Sequence, residues 1–262
     1  MRTSVVQFAA GTDLAVNLEA ITRLVGRASV AGAELVVLPE AAMHDFGPSD
    51  MPLGPVAQPL DGPFIDAVSD LAKGNGVTIV VGMFETSPDP QRPFNTVVVV
   101  GGGRGLLASY RKAHLYDSFG YRESERLLAG DSAPVVVEVG ERKVGLMTCY
   151  DLRVPEHSRT LVDAAADTLV VPAAWVRGAL KEDHWTTLLR ARAIENTAYV
   201  VGAGQCGDHY VGCSMLVDPM GVAVARLGDE EGVATADLSA ERLAEVRRHN
   251  PSLANRRTAD VR

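Results

Sequence analysis

The sequence predicts an α/β fold of two mixed sheets with helices on their outer sides. Three observations predict it. Helical stretches alternate with pairs of short β-branched runs, rather than one for one as a barrel requires. Runs such as Val97-Val98-Val99-Val100 are apolar throughout, which fits strands buried on both faces. With 262 residues, 47% of them hydrophobic, the chain can bury a substantial core without disulfides or a structural metal.

Taken in order, residues 4–9 read as the first strand. A helix over residues 17–30 places Leu18, Ile21, Leu24, Val25 and Ala28 on one face. Residues 35–38 form a buried-type strand ending at Pro39-Glu40, and a helix over 64–73 closes at Gly74-Asn75-Gly76. Strands over 78–82 and 96–100 follow, and the glycine-rich stretch 101–105 turns the chain into a strand over 106–111. That stretch lacks the Gly-Lys-Ser/Thr of a phosphate loop and joins strand to strand, so it reads as a hairpin. Residues 135–139 and 144–147 flank a turn at Gly140-Glu141-Arg142-Lys143. A helix over 155–166, a strand over 168–171 and a longer helix over 182–196 come next. Strands over 199–203, 214–217, 222–226 and 233–237 complete a set of eleven or twelve, and residues 239–248 form the last of four or five helices. The proline- and glycine-rich stretch 47–62 reads as a surface loop. No repeat, low-complexity tract or linker is visible, so residues 1–262 are expected to form one domain. Within it, 250–262 make a polar tail that packs on a partner or frays.

Composition narrows the function. A net charge of −8 and 5% aromatic residues argue against a nucleic-acid partner. Three widely spaced cysteines make no disulfide framework, and none has zinc spacing, so no metal or cofactor is expected. Cys206 and Cys213 near His209 lack a fourth ligand and read as packing residues, and Asp229-Glu230-Glu231 reads as a solvated turn. No signal peptide and no apolar run of roughly 18 residues are seen, so no membrane partner is expected. A reduced, cytoplasmic setting is the expectation.

Three segments carry chemistry. Leu35-Val36-Val37-Leu38-Pro39-Glu40 delivers a carboxylate at the carboxyl edge of an apolar strand, where α/β sheets place ligand sites. A solvated acid starting a loop is the alternative. Tyr110-Arg111-Lys112-Ala113-His114-Leu115 follows another strand; Lys112 reads as a surface lysine or a site cation, and His114 as a packing residue or a catalytic one. Val144-Gly145-Leu146-Met147-Thr148-Cys149-Tyr150-Asp151 runs a strand into a cysteine just before Pro155 opens a helix. That geometry follows the logic of a nucleophile elbow, and a buried structural thiol is the alternative. A thiol with a pKa of ~8.5 needs a base to ionise it and a cation to hold the anions that follow. Glu40 and Lys112 would supply both if the strand ends converge.

Together the segments resemble the nitrilase, or carbon–nitrogen hydrolase, superfamily, whose triad is Glu-Lys-Cys. Leu-Pro-Glu at 38–40, Tyr-Arg-Lys-Ala-His-Leu at 110–115 and Cys-Tyr-Asp-Leu-Arg-Val-Pro-Glu at 149–156 are similar to its three motifs. The first strand around Phe8 and the stretch around 190–200 are also similar, so the likeness spans essentially the whole chain. It implies a four-layer α-β-β-α sandwich and a homodimer or larger homo-oligomer. It implies Glu40 as general base, Cys149 as nucleophile and Lys112 as the cation, with the Tyr150 N–H sharing the oxyanion role. A second glutamate is implied near Tyr121-Arg122-Glu123-Ser124, making Glu123 the candidate and Glu125 the runner-up. Tyr150-Asp151 after the cysteine, where nitrilases often carry Trp-Glu, resembles the amidase-type branch of ω-amidases and deaminated-glutathione amidases. A small carboxylate-bearing amide is then the implied substrate, cleaved through a thioester with release of ammonia. Arg153 and Arg177 are its candidate anchors. Departures at Val154 and in the short 117–121 loop fall near the expected pocket. The alternatives are an N-carbamoyl amino-acid hydrolase, a nitrilase, an acyl-transferring or amidine-using relative, or a catalytically silent scaffold.

Overall fold

The computed structural model describes residues 1–257; positions 258–262 of the predicted tail lie outside the described residues. The first half runs β1 (Arg2–Gln7), α1 (Leu14–Val30), β2 (Leu35–Val37), α2 (Pro63–Asn75), β3 (Thr78–Glu85), β4 (Phe94–Gly101) and β5 (Gly105–Arg111). A small hairpin follows, β6 (Asp117–Ser118) and β7 (Tyr121–Arg122). The second half runs β8 (Val136–Val139), β9 (Arg142–Leu146), α3 (Pro155–Asp163), β10 (Thr168–Ala173), α4 (Lys181–Asn196) and β11 (Tyr199–Gly204). It ends with β12 (Met215–Val217), β13 (Ala223–Arg226), β14 (Gly232–Asp237) and α5 (Ala240–His249).

Two six-stranded sheets form, ordered β14-β1-β2-β3-β4-β5 and β13-β12-β11-β10-β9-β8. Both are mixed. β1, β2 and β3 are parallel, as are β9, β10 and β11, while the flanking pairs are antiparallel. Each sheet is wound as strand–helix–strand–helix–strand with two returning strands, so the topology repeats where the sequence shows no repeat.

Three apolar layers hold the stack. Ile21, Leu24 and Val25 of α1 and Phe64 and Val68 of α2 pack on Val36, Ile79 and Val98 of the first sheet. Leu161 of α3 and Trp185 and Leu189 of α4 pack on Leu169, Val171 and Val200 of the second. Between the sheets, Val5, Val37, Val80 and Val99 meet Val144, Leu146, Val170, Val201 and Leu216. The result is an α-β-β-α sandwich, with strands such as β3 and β4 buried on both faces.

The ends of elements follow local chemistry. The Asp13 carboxylate accepts from the Ala15 and Val16 N–H groups, so α1 begins before the apolar period does. Gly76 closes α2 in the left-handed region at φ 66°, which its missing Cβ permits. β1 starts at Arg2 because it pairs with β14 along its full length, Arg2 with Asp237 to Gln7 with Gly232. β6 and β7 are too short and polar to show a period, which takes the strands to fourteen among the described residues. The 47–62 stretch buries Leu53 and forms a 3₁₀ turn at Gly54–Val56, so part of that loop is core. The described tail, 250–257, folds back on the same chain: Arg256 pairs with Asp163 of α3, and Leu253 packs on the α3–α4 core.

Candidate active site

Four reactive side chains converge where the two sheets meet. Glu40 follows β2 and is fully buried, its carboxylate turned inward by Pro39 and by Ala41 at φ 53°. Glu40 Oε1 accepts from Asn95 Nδ2 at 2.7 Å and Lys112 Nζ at 3.0 Å, and Oε2 accepts from the Ala174 N–H at 2.7 Å. Lys112 is the residue after β5, and its side chain is 1% exposed. Its ammonium also meets Glu123, at 3.0 Å from Oε1 and 2.9 Å from Oε2. Glu123 opens the turn after β7 and accepts from the Tyr116 N–H as well. Glu125, two residues on, is exposed and among the described residues pairs only with Arg122, so Glu123 is the glutamate that reaches Lys112.

Cys149 begins a 3₁₀ turn, Cys149–Arg153, separated from the end of β9 by two residues, with φ 47°. A non-glycine residue in that region is strained and must be held by its surroundings. Asp151 holds it: its Oδ2 accepts from the Thr148 N–H and the Tyr110 hydroxyl, both at 2.9 Å, and its Oδ1 faces His114 Nδ1 at 2.7 Å. His114 therefore stands behind the turn, paired with the carboxylate that caps it. Asp151 raises the His114 imidazole.

The electrostatics are those of a buried cluster. Burial pushes the Cys149 thiol well up, and Glu40 pushes the same way while Lys112 opposes them. Burial disfavours the Lys112 ammonium, yet Glu123 and Glu40 outweigh it and hold its pKa well above the ordinary value. Burial also raises Glu123, against the pull of Lys112 and with a push from Glu40. The setting thus favours the neutral thiol and the charged amine, with the Glu40 carboxyl group beside both.

These groups form one wall of a cavity of about 790 Å³. The other walls are mainly apolar and aromatic, and they include Tyr116, Phe119, Tyr150 and Trp175. Arg153 lines the cavity, its guanidinium 4.6 Å from the Trp175 ring centre and 5.5 Å from that of Phe119. Arg177 does not line it: its Nε donates to the Gly207 and Tyr210 carbonyls, bracing the neighbouring loop. Cys206 and Cys213 are buried free thiols in the packing.

Several groups at the site carry no signal that the sequence reading used. Asn95 was a lone amide inside an apolar strand, a mark worth noticing. The Ala174 N–H acts through backbone alone. Tyr116, Trp175 and Lys181 lie in stretches without a motif, and only the topology brings them to the cavity.

Fold and site together define a class, a hydrolase acting on carbon–nitrogen bonds other than peptide bonds. The sequence matches the carbon-nitrogen hydrolase family over residues 2–248, and the chain belongs to it. It is 41% identical over 254 residues to a deaminated glutathione amidase of Escherichia coli O157:H7, covering 97% of this chain and 96% of that one. Identity to the deaminated glutathione amidase of Rattus norvegicus is 37% over 260 residues, 92% of this chain and 77% of that one. Among solved structures, the C. elegans NitFhit protein superposes with a TM-score of 0.90 at 30% identity. That match covers 98% of this chain, which spans 65% of the NitFhit chain. An amidase from Nesterenkonia sp. AN1, solved with acrylamide added to its active-site cysteine, superposes at 0.80 with 28% identity, over 95% of this chain and 99% of that one. The chain is a nitrilase-superfamily amidase, a hydrolase of amide carbon–nitrogen bonds.

Proposed function

We propose that the chain cleaves a small carboxylate-bearing amide through a Cys149 thioester, with release of ammonia. The observation that carries this reading is the Lys112 ammonium held between Glu40 and Glu123 beside the buried Cys149 thiol. Glu40 takes the Sγ proton as sulfur attacks the amide carbon, so no free thiolate, which burial disfavours, has to form. The oxygen of the tetrahedral adduct gains the negative charge and is met by Lys112 Nζ and the Tyr150 N–H. Collapse breaks the C–N bond; the proton on Glu40 passes to nitrogen, and ammonia leaves. Glu40 then deprotonates a water, which attacks the thioester carbon and returns the thiol. Glu123 holds Lys112 in place and can orient the amide or the water. General acid–base help of this kind contributes roughly 10²–10⁴-fold.

Arg153 is the anchor for the substrate carboxylate, since it faces the same cavity. The named relatives support an amide of the deaminated glutathione type. The reading takes the chain as one catalytic domain of a homo-oligomer in a reduced compartment. An ammonia-release screen tests it across ω-amides, deaminated glutathione, N-carbamoyl compounds and nitriles. Turnover is expected on carboxylate-bearing amides, with the acyl group on Cys149 detected by mass spectrometry. Cys149→Ala is expected to keep the fold and abolish turnover; activity near that of the native protein would overturn the thioester route.

A further inference from the structure

Among the described residues four cationic side chains are buried: Lys112, Arg142, Lys181 and Arg192. Three have a carboxylate partner, Lys112 with Glu40 and Glu123, Arg142 with Asp167 and Arg192 with Glu195. Lys181, 7% exposed, has none among the described residues. A buried charge without a counter-charge is costly, so its setting needs a reason.

The setting is built from neutral groups that favour a cation. Lys181 Nζ donates to the Tyr116 hydroxyl at 2.9 Å and lies 3.6 Å from the Phe119 ring centre and 5.0 Å from that of Tyr116. Its approach is fixed by backbone strain at the start of α4, with Leu180 at φ 58°. Trp175 Nε1 donates to the Lys181 carbonyl at 2.8 Å, tying it to the strand end whose Ala174 N–H holds Glu40. Arg153 stacks on the same Phe119 and Trp175 rings and likewise has no acidic partner among the described residues; its Nε is buried without a hydrogen bond. Burial lowers the Lys181 pKa, and the neighbouring Arg153 charge lowers it further. Tyr116 links this end of the cavity to the reacting end, because its own N–H donates to Glu123.

We propose that Lys181 is the specificity-determining residue of the site, clamping a substrate carboxylate between its ammonium and the Arg153 guanidinium. This rests on the amidase reading above and adds to it the residue that selects the substrate's charge. Two cations close together without an anion repel each other, and a carboxylate between them relieves both charges. The reacting amide would then sit at Cys149, with the carboxylate at the far end of Tyr116.

The test compares kcat/KM for the monoamide of glutaric acid with that for pentanamide, its neutral counterpart. In the native protein the anionic amide is expected to be preferred. Lys181→Met is expected to lower that preference by about tenfold or more, mainly through a higher KM, and Lys181→Arg to retain most of it. If Lys181→Met leaves the ratio of the two substrates as it was, the clamp is overturned. A second readout covers loss of folding: calorimetric binding of glutarate to the native protein, expected to be competitive with the monoamide. Failure of glutarate to compete overturns the clamp too. Either failure leaves the Cys149 route standing, because that route is read from the acyl-enzyme alone.

Discussion

Lys112 is the residue on which the site's charges turn. Under the proposed route Glu40 accepts the proton of Cys149, and the Lys112 ammonium lies 3.0 Å from its Oε1. A second carboxylate shares the ammonium, so Lys112 does not neutralise Glu40 outright. Glu123 provides that sharing and is the largest influence raising Lys112 against burial. Replacing it with a neutral amide leaves shape nearly unchanged and removes a charge. Glu123→Gln is therefore expected to fold normally by circular dichroism and to lose roughly 10²-fold or more in kcat, the scale of one misdirected electrostatic group. A kcat within a few-fold of native would mean that Glu123 only packs against the lysine. At this scale the sequence marked Glu40, Lys112 and Cys149 as strand-end groups, each with a structural alternative, and only the family resemblance joined them. Lys181 was not, since a lysine opening a helix looks like a solvated one until Phe119 and Tyr116 are placed around it.

Elements deliver these residues through close backbone approach rather than through long side chains alone. β3 passes so near the Pro39–Glu40 turn that a Cβ on Gly82 would lie 2.7 Å from both the Glu40 Cα and the Ala41 nitrogen. Both strands are anchored there, the Gly82 N–H donating to the Pro39 carbonyl and the Met43 N–H to that of Gly82. Neither backbone has room to yield without moving the carboxylate. Gly82→Ala is expected to cost about 1–3 kcal/mol of stability from overpacking, measurable by urea denaturation. A displacement of Glu40 on the order of 1 Å should also lower kcat/KM by about 10²-fold. A stability loss with full activity would show that the turn relaxes without carrying Glu40 along. The sequence pattern found the five helices and the larger strands among the described residues, most of which bury an apolar face, although α4 buries Arg192 and Asn196 beside Trp185 and Leu189. It missed β6 and β7, which are held by the Glu123 turn rather than by a face of their own.

The whole molecule makes the site by docking one sheet on the other. Glu40 and Lys112 come from the first sheet, Cys149 and the Ala174 N–H from the second, so the geometry of the proposed site depends on the register between layers. Apolar packing holds the layers together but slides easily, being non-directional. Polar links fix the register, and their pairing is invisible in a sequence whose residues lie 165 positions apart. Gln205, just beyond β11, donates to the Glu40 carbonyl at 2.9 Å and accepts from the Ala10 N–H at 2.9 Å, joining both sheets with one amide. Gln205→Leu would keep the bulk and leave those two groups unpaired, at about 1–3 kcal/mol for each buried group. Leu216→Ala, in the apolar layer between the sheets, should cost about 2–5 kcal/mol through a cavity. The two variants are expected to part in kinetics. Folded Leu216→Ala should turn over at close to the native kcat, whereas folded Gln205→Leu should lose kcat because Glu40 no longer keeps its place. Equal kcat in both, measured well below their denaturation midpoints, would show that packing alone sets the register of the Glu40 carboxylate.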